Sequence, residues 1–480
     1  MQSPRRRFGP WPATGLVLAI GLTLAALALA CTRAEDKARG KLALLISLDT
    51  LRADHLGLYG YARGTSPNLD ALAGDAVVFD EAQSTSPWTL PAHGALLTGR
   101  YPSRLGLRST ASRLPPEAPT LAELLQRSGW RTAAFVNSRF VSERHGFDRG
   151  FDHFEYLPES YHQIGAAAEL LEHSLEVIAA RRDQPLFVFL HLYDVHSDYR
   201  ARHVHQQGLV GPYQGKAAGF TSQLLAVARD DATLEPADLA HVVDLYDAQI
   251  RELDANLGRF FEALRKLGEF EDALIAVVAD HGDEFLEHGG VLHGRSHYRE
   301  VIRVPLIIRN PDWPRARRVT VPVSTIDIVP TLLRALGVPP PAALEGRDLS
   351  TLALGSNGDN PTPESSSGRI LYSEAVLDAS RRGEKSAARQ GRYTLHWNQA
   401  NGSHQLYDLQ SDPGELVDLA QREPERAAQL LAALQRFTAG SRATSELREL
   451  TGRERNELRQ LGYLAPAPPS RDVRDADSSR

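Results

Sequence analysis

The stretch LALLISLDT, Leu42–Thr50, decides the fold, because an unbroken apolar run of strand length ends at an acidic residue, Asp49. Two later stretches have the same form: PLFVFLHLYDVH, Pro185–His196, and ALIAVVADHGDE, Ala273–Glu284. Continuous apolar runs of this length are typical of strands that are buried on both faces in a mainly parallel α/β sheet. The sequence therefore predicts an α/β fold with these three runs in its central sheet.

Each of the three runs also ends in polar residues that can carry chemistry. A single buried strand followed by an aspartate indicates only a turn, whereas three such strands favour a shared site. Parallel sheets bind ligands beyond the carboxyl ends of their strands, so one edge of the sheet is expected to hold these residues. They are Asp49, Asp194, His196, Asp280 and His281.

The segments between the runs predict flanking helices and a further strand. Pro119–Trp130 has a proline start and a glycine stop, and Arg131–Asn137 continues as a strand. A long amphipathic helix is expected over Glu235–Gly268, and Gln206–Ala232 is expected to be an irregular excursion over the site. The expected core face of the long helix consists of Leu239, Val242, Val243, Leu245, Tyr246 and Ile250.

The chain of 480 residues is longer than one compact pair of layers needs, so a large domain and a smaller one are expected. The large domain is assigned to residues 41–354, and a Gly/Ser/Pro-rich linker to 355–369. Short strands and a helix from about Glu423 to Phe437 predict a C-terminal subdomain over 370–440. Residues 441–480 are assigned to a tail.

Residues 1–31 have the pattern of an export signal and are not expected to be part of the fold. Arg5–Arg7 precede an apolar run, Ala13–Ala30, and Cys31 follows in a setting that resembles a bacterial lipoprotein box. We therefore predict lipid attachment at Cys31, with an uncleaved membrane anchor and plain secretion as alternatives. The protein is expected at the bacterial periplasm or cell surface, held to the membrane by a lipid or an N-terminal anchor.

The overall charge excludes one class of partner. With 54 basic and 60 acidic residues the formal net charge is −6, and no basic stripe compensates for phosphate repulsion. Nucleic-acid binding is therefore not expected. The sequence leaves the oligomeric state open.

The stretch STSPWTLPAHGALLTGR, Ser84–Arg100, places a threonine hydroxyl at the mouth of a predicted helix. Pro91 is tolerated in a first helical turn because its missing N–H would be unpaired there, and Gly99 ends the helix. Thr89 is then expected at the N-cap, where free N–H groups and the helix dipole favour an anion, with His93 on the same face. Thr89 is either a plain cap, worth about 1 kcal/mol, or a nucleophile.

The second interpretation requires a divalent metal, because a threonine hydroxyl is too weak an acid to attack an ester unaided. The predicted ligands supply three oxygens and one nitrogen; they are Asp49, Thr89, Asp280 and His281. A second ring of polar groups is expected around them, with His93, His196 and His293 in catalysis and Asn137 and Asp194 in substrate binding. Expected bracing partners are His191, Asp283, His288 and His297.

These residues occur in an order that resembles the sulfatase-like branch of the alkaline phosphatase superfamily, over about Lys41–Phe437. The resembling stretches include LLISLDTLRADHLGLYGYARGTSPNLDALA, PAHGALLTGRYP, DLYDAQIRELDANLGRF, VVADHGDEFLEHG, RVPLIIR, VSTIDIVPTLLRALGVP and LYDLQSDPGELVDLA. The resemblance implies an alkaline-phosphatase-like sandwich, in which helices flank a mainly parallel central sheet. It also implies a small C-terminal antiparallel-sheet subdomain and a metal-dependent ester hydrolase.

The chain departs from the sulfatase pattern at the nucleophile. Sulfatases carry cysteine or serine in a C-x-P-x-R segment and convert it to formylglycine, whereas this chain has TLPAH from Thr89 to His93. Threonine carries a β-methyl group and does not give that aldehyde. Three imidazoles and a hydroxyl replace other family groups: His93 an arginine, His281 an asparagine ligand, His293 a lysine and Thr50 an aspartate. The changes resemble the threonine-nucleophile members of the superfamily and favour zinc or manganese over calcium, as one or two ions.

The sequence as a whole predicts a metal-dependent hydrolase of phosphate mono- or diesters, or of sulfate esters, that acts through Thr89. Phosphate is favoured because the formylglycine route is absent. One alternative is a phosphoethanolamine-type transferase acting on the cell envelope, although its familiar versions carry several membrane helices before the catalytic domain. The other alternative is a non-catalytic surface lipoprotein that has lost its chemistry.

Overall fold

A nine-stranded sheet lies at the centre of the structure, a computed structural model. The structure describes residues 41–158, 166–181, 183–355, 368–375, 384–441, 446–460 and 463–464. The predictions for residues 1–31, including Cys31, and for most of the linker lie outside these residues. Within the described ranges, no helix is both long enough and apolar enough to cross a bilayer.

The strands alternate with helices along most of the chain. The strands are, in chain order, β1 (Leu42–Leu48), β2 (Val77–Gln83), β3 (Arg131–Val136), β4 (His153–Tyr156), β5 (Leu186–Leu192), β6 (Leu274–Ala279), β7 (Glu284–Phe285), β8 (Val291–Leu292), β9 (Arg303–Arg309), β10 (Arg317–Val319), β11 (Val323–Ser324), β12 (Ile370–Ala375), β13 (Lys385–Gln390), β14 (Tyr393–Asn398) and β15 (His404–Asp408).

The helices of the described ranges flank these strands. They are α1 (Pro67–Ala73), α2 (Thr89–Thr98), α3 (Pro102–Leu105), α4 (Leu121–Arg127), α5 (Ala166–Ala180), α6 (His203–Gln206), α7 (Thr221–Val227), α8 (Pro236–Lys266), α9 (Arg299–Ile302), α10 (Ile328–Ala335), α11 (Ser350–Leu354), α12 (Pro424–Ala439) and α13 (Gly452–Gln460). Short 3₁₀ turns cover 53–55, 57–59, 139–141, 143–145 and 325–327.

The three apolar runs become the adjacent strands β5, β1 and β6. The strand order is β10–β2–β9–β6–β1–β5–β3–β4, with β11 beside β2, and β9 runs antiparallel to both of its neighbours. β1 lies parallel to β5 and β6, so that Leu48 is level with Leu192 and Ala279. All residues of these three strands are buried, as the unbroken apolar runs predict. The predicted fold class is confirmed, and the residues after the three strands emerge at one edge.

The long helix α8 confirms its prediction. It begins after a capping box at Glu235 and ends before Gly268, whose φ of +72° is left-handed. Its core face is largely as expected, with four positions buried and two half-buried. The buried positions are Val242, Leu245, Tyr246 and Ile250, and the half-buried ones are Leu239 and Val243.

Two local predictions were wrong in detail. The helix expected from Pro119 begins at Leu121, because the Thr120 hydroxyl accepts the N–H of Glu123 and caps α4. The excursion over 206–232 is not irregular throughout, since it contains α7.

The C-terminal part forms the predicted antiparallel sheet, in the order β12–β13–β14–β15, with α12 packed on it. β13 escaped prediction because its sequence, KSAARQ, has none of the β-branched or aromatic residues that mark strands. The tail assigned to 441–480 also holds structure, because α13 lies in it and Tyr463 is buried against the main core. A capping box between Thr451 and Glu454 marks the start of α13 in the sequence, whereas the position of Tyr463 depends on long-range packing.

Candidate active site

Two acidic residues and a histidine meet where β1 and β6 end. Asp49 follows β1, and Asp280 and His281 follow β6. All three side chains are buried, and each offers one ligand atom within 4.8 Å of the others. The predicted meeting of these residues at one sheet edge is therefore observed.

Backbone groups fix the Asp280 carboxylate. Its Oδ1 accepts the N–H of His281 at 2.9 Å and the N–H of Thr50 at 3.3 Å. Its Oδ2 lies 3.3 Å from His281 Nε2 and accepts no hydrogen bond from the residues that the structure describes. Thr50 has a φ of +55°, a conformation that is costly for a β-branched residue and that aims its N–H at Asp280.

Neighbouring side chains brace the loop after β1. His191 Nε2 donates to Asp49 Oδ2 at 3.1 Å, as expected for a bracing partner. Tyr246 Oη donates to the carbonyl of Thr50 at 2.7 Å and accepts the N–H of Arg52 at 2.9 Å. The α8 helix thus holds the loop that carries the first acid.

The donor set fits a divalent cation. His281 Nδ1 donates to the carbonyl of Gly282 at 3.1 Å, which leaves the lone pair on Nε2 facing the two carboxylates. Burial lowers the pKa of His281 well below its ordinary value, so the imidazole is neutral. Burial and the neighbouring Asp49 raise the pKa of Asp280 well above its ordinary value. The cluster offers two carboxylate oxygens and one imidazole nitrogen, and no positively charged side chain in it balances the carboxylates. Such a donor set is of the kind that binds zinc or manganese.

Thr89 lies beside this cluster. Its Oγ1 is 3.4 Å from Asp49 Oδ2 and 3.4 Å from His281 Nε2, and the residue is fully buried. Thr89 is not the N-cap that the sequence predicted: the N-cap is Trp88, with an extended backbone, and Thr89 is the first helical residue of α2. The cap moves by one residue because the Thr89 hydroxyl faces the cluster and bonds to no N–H of its own helix.

His93 holds the first turn of α2 in place. Its Nδ1 donates to the carbonyl of Thr89 at 2.9 Å, and its Nε2 accepts the hydroxyl of Ser47 at 2.9 Å. Nδ1 is also 3.4 Å from Asp280 Oδ2. Because both ring nitrogens are engaged, we reassign His93 from a predicted catalytic contact to a positioning residue. Ser47 was missed, although a hydroxyl inside an apolar strand two residues before Asp49 marks the same strand face.

A second group of imidazoles adjoins the cluster. His293 Nδ1 donates to Asp283 Oδ1 at 2.7 Å, and Tyr199 Oη donates to Asp283 Oδ2 at 2.8 Å. His196 Nδ1 donates to the carbonyl of Ser197 at 2.7 Å, and its Nε2 has no partner in the described part of the chain. The His293 ring lies 4.4 Å from that of His281 and 5.1 Å from that of His196, measured between centroids.

Burial keeps this second group neutral. It lowers the pKa of His196 to about 4 and that of His293 to about 3. Since Nδ1 carries the proton in both rings, Nε2 presents a lone pair, which accepts a proton or binds a cation. Neither ring donates to an oxyanion in this state, so stabilisation of negative charge by these two rings requires their protonation or a bound cation.

Asn137 and Asp194 brace a loop. Asp194 accepts the N–H of Ala167 at the start of α5, at 3.0 and 3.2 Å, and burial raises its pKa to about 6. Asn137 Oδ1 accepts the N–H of Tyr193 at 2.9 Å, and its side chain bonds to Asp194. We therefore reassign both residues from substrate binding to positioning of the loop that carries His196.

Two further predicted partners lie at the C-terminal sheet. His288 Nδ1 donates to Glu300 Oε1 at 2.6 Å, and His297 contacts the Ser373 hydroxyl at 3.1 Å. The His297 contact joins the large domain to the C-terminal strand β12, whereas the His288 contact lies within the large domain, and neither involves the acidic cluster.

Comparison with known proteins places the chain in a family. Residues 41–338 match the Sulfatase family, and residues 287–439 match the C-terminal family of N-sulphoglucosamine sulphohydrolase. N-acetylglucosamine-6-O-sulfatase of Bacteroides thetaiotaomicron is 23% identical, covering 83% of this chain and 86% of that protein. Arylsulfatase A of Homo sapiens is 25% identical, covering 82% and 86%.

A solved structure shares the fold. The phosphonate monoester hydrolase of Agrobacterium radiobacter superposes with a TM-score of 0.68 at 22% identity, covering 84% of this chain and 95% of that chain. The family match spans more than half of the sequence and contains the strands and loops that carry Asp49, Thr89, Asp280 and His281. The chain therefore belongs to the sulfatase family.

Proposed function

We propose that the protein is a divalent-cation-dependent hydrolase that cleaves phosphate esters in preference to sulfate esters, with Thr89 Oγ1 as the nucleophile. One observation carries the proposal: Thr89 Oγ1 lies 3.4 Å from both Asp49 Oδ2 and His281 Nε2, at the first residue of α2. The first N–H groups of a helix lack intrahelical acceptors and attract an anion, so a tetrahedral oxyanion next to Thr89 is favoured.

The preference for phosphate follows from residue 89. Sulfate-ester cleavage through formylglycine requires an aldehyde hydrate, and threonine does not supply one. A hydroxyl nucleophile forms an ester with the transferred group, and a second displacement by water must then release it.

The cation is assigned to Asp49, Asp280 and His281, with zinc or manganese favoured by the imidazole ligand. When bound, it supplies positive charge that lowers the pKa of the neighbouring hydroxyl and offsets charge on the reacting group. The lone pairs on His196 Nε2 and His293 Nε2 are ligands of the type that a second ion would use.

The residues of this chain then have separate tasks. Thr89 Oγ1 forms a bond to phosphorus while the bond from phosphorus to the alcohol oxygen breaks. In the form with one ion bound, His196 Nε2 is assigned as the group that takes the hydroxyl proton and returns it to the departing alcohol, because its lone pair has no partner in the described site. Water then displaces Thr89 from phosphorus, and Thr89 regains its proton. His93 keeps the first turn of α2 in position throughout.

The test is turnover of four esters by purified protein loaded with zinc or manganese: an aryl phosphate, a bis-aryl phosphate, an aryl phosphonate and an aryl sulfate. Thr89→Ala is expected to lower kcat/KM for the phosphates by about a thousandfold or more, whereas Thr89→Ser retains a hydroxyl and substantial activity. His404→Ala, on the C-terminal sheet, is the control and should leave turnover unchanged.

Three results would contradict the proposal. Turnover of aryl sulfate alone would overturn the preference for phosphate. Full activity of Thr89→Ala would exclude Thr89 as the nucleophile. Purification without bound metal, together with no gain of thermal stability on adding zinc or manganese, would favour the non-catalytic alternative.

Export is a separate part of the proposal and rests on the N-terminal sequence. We propose lipid attachment at Cys31, which holds the catalytic domain outside the cytoplasm. Labelling of growing cells with a fatty-acid analogue should mark the wild-type protein and not Cys31→Ser.

A further inference from the structure

A tyrosine from beyond the family match contacts the second group of imidazoles. Tyr463 Oη donates to His293 Nε2 at 3.0 Å. Its ring meets Phe140 edge to face at 4.8 Å and lies 6.2 Å from Trp88, the residue before Thr89. The Tyr463 residue is only 8% exposed.

The segment that carries Tyr463 is attached to the large domain by specific contacts. We call residues 446–460 and 463–464 the C-terminal segment. Glu454 Oε1 accepts from Arg144 and from Arg448, both at 2.7 Å, and Glu457 pairs with Arg139 at 3.1 Å. Leu447 forms a β-bridge with Ser112. The position of Tyr463 is therefore built by several contacts along the chain.

The site beneath Tyr463 is closed to a substrate. Thr89 and His281 are 0% exposed, and the His293 side chain is 6% exposed. An ester can reach Thr89 Oγ1 only if a covering group moves. Tyr463 is the covering group whose hydroxyl takes the lone pair on His293 Nε2.

The phenol group of Tyr463 has the form of a bound aromatic alcohol. Its oxygen rests on an imidazole that Asp283 orients, and its ring rests against Phe140 and Trp88. A phenol released from an aryl ester would need the same three features: a hydrogen-bond acceptor for its hydroxyl, and aromatic edges and faces around its ring.

We propose that Tyr463 fills the subsite for the alcohol part of the substrate, that this subsite accepts an aromatic alcohol, and that the C-terminal segment withdraws before turnover. The inference rests on the proposed ester hydrolase function. It goes beyond it by naming the class of alcohol and the chain segment that competes with the substrate.

Phenol binding tests the subsite without any turnover. The probe is free phenol, followed by saturation-transfer NMR on the protein with chelator present. Tyr463→Ala is expected to bind phenol, and wild type is expected to bind it at least about fivefold more weakly. The apparent affinity of wild type equals the intrinsic affinity multiplied by the fraction of molecules in which Tyr463 has left the subsite. Equal binding by the two proteins would overturn the inference.

Kinetics test the same point with the segment loosened at a distance. Glu454→Gln weakens the ion pairs to Arg144 and Arg448 and leaves Tyr463 intact. Both Glu454→Gln and Tyr463→Ala should lower KM for an aryl phosphate, by about tenfold if the site is closed nine-tenths of the time. Arg455→Ala is the matched control, since this exposed arginine donates to Leu450 within the same segment, and its KM should not change.

The two proposals fail in different ways. An unchanged or higher KM in both Tyr463→Ala and Glu454→Gln, in an enzyme that hydrolyses aryl phosphate, would overturn the inference and leave the proposed function standing. Absence of turnover in wild type, with phenol bound by Tyr463→Ala and not by wild type, would overturn the proposed function and support the subsite.

Discussion

The Asp280→Asn substitution is expected to stabilise the cation-free protein and, at the same time, to remove the stabilisation that a divalent cation gives. Asp280 and Asp49 are both buried, and their ligand atoms lie within 4.8 Å of each other. Without a cation, the two carboxylates repel. The variant abolishes that repulsion and also removes one anionic ligand.

The magnitude follows from the distance. Two unit charges near 4.8 Å apart repel by about 3–4 kcal/mol at an effective dielectric constant of about 20. Proton uptake by Asp280 limits the cost, so a gain of about 2 kcal/mol at pH 8 is a fair expectation. Asparagine keeps Oδ1 as acceptor for the N–H of His281, and its Nδ2 can donate to His281 Nε2, which is 3.3 Å from Oδ2 in the parent. At an unfolding entropy of about 2.1 cal/mol/K per residue, this gain raises Tm by about 2 °C.

The sign of the pH dependence is fixed by the direction of the pKa shift. The pKa of Asp280 is raised in the folded protein above its ordinary value of 3.8, so the folded state binds this proton more tightly than the unfolded chain does. The unfavourable contribution is absent below about pH 3.8 and grows as the pH rises. The gain from Asp280→Asn should therefore be near zero at pH 4 and largest at pH 8.

Scanning calorimetry with chelator, and with zinc or manganese, measures both effects. A cation at about 100 times its Kd should add about 2.7 kcal/mol to the wild type and nothing to Asp280→Asn. Asp254→Asn is the control for the effect of the cation. Asp254 is also buried, but it accepts the N–H of Leu69 in α1 and is not part of the acidic cluster. A cation-free Asp280→Asn protein less stable than wild type at pH 8, or one that still gains Tm from the cation, would refute the reasoning.

Three further substitutions test the surrounding structure. Asp194→Ala should lower the free energy of unfolding by about 1–2 kcal/mol, because it removes the acceptor at the start of α5, and it should leave KM unchanged. Denaturation and kinetics measure the two quantities, and a rise in KM without loss of stability would show a substrate contact instead. Glu374→Gln should raise the free energy of unfolding by up to about 3 kcal/mol at pH 8 and by nothing below pH 4.5. Burial raises the pKa of Glu374 from 4.5 to about 7, so its ionised form destabilises the folded protein, and urea titrations across this pH range check the effect. Tyr246→Phe leaves the carbonyl of Thr50 without its donor, so stability should fall by about 1–3 kcal/mol and zinc affinity should fall with it, as calorimetric titration would detect.

The acidic cluster was predictable because strand order and strand direction decide it. Parallel neighbours β1 and β6 must release their chain ends at the same edge, and the sequence marks both ends with acids. Asp49, Asp280 and His281 therefore meet whatever the helices do. Thr89 belongs to a different element, and its place beside them followed from the family resemblance more than from its own local sequence.

The remaining contacts depend on packing between distant segments, which local patterns do not encode. His93 and Asp194 are polar residues near the site in sequence, but each turns to a backbone group and becomes a brace. Which polar group binds substrate and which satisfies a buried carbonyl or N–H depends on the position of neighbouring backbone. Tyr463 shows the longest of these separations, since it contacts His293 although 170 positions separate the two in the sequence.

The charge of the site links the number of cations to the class of ester. Asp49 and Asp280 bring two negative charges when ionised, and burial keeps the imidazoles of His281, His196 and His293 neutral. One divalent cation cancels these two carboxylates and leaves no excess charge for a dianion, whereas a second cation near His196 and His293 adds two positive charges, one of which the Asp283 carboxylate beside His293 cancels. Since buried unbalanced charge is strongly unfavourable, a protein with one ion should prefer monoanionic phosphodiesters, and a protein with two ions should accept phosphomonoester dianions. Metal stoichiometry by mass spectrometry, measured on the same preparations as the ratio of diester to monoester turnover, checks this link; a one-ion enzyme that prefers the monoester would contradict it.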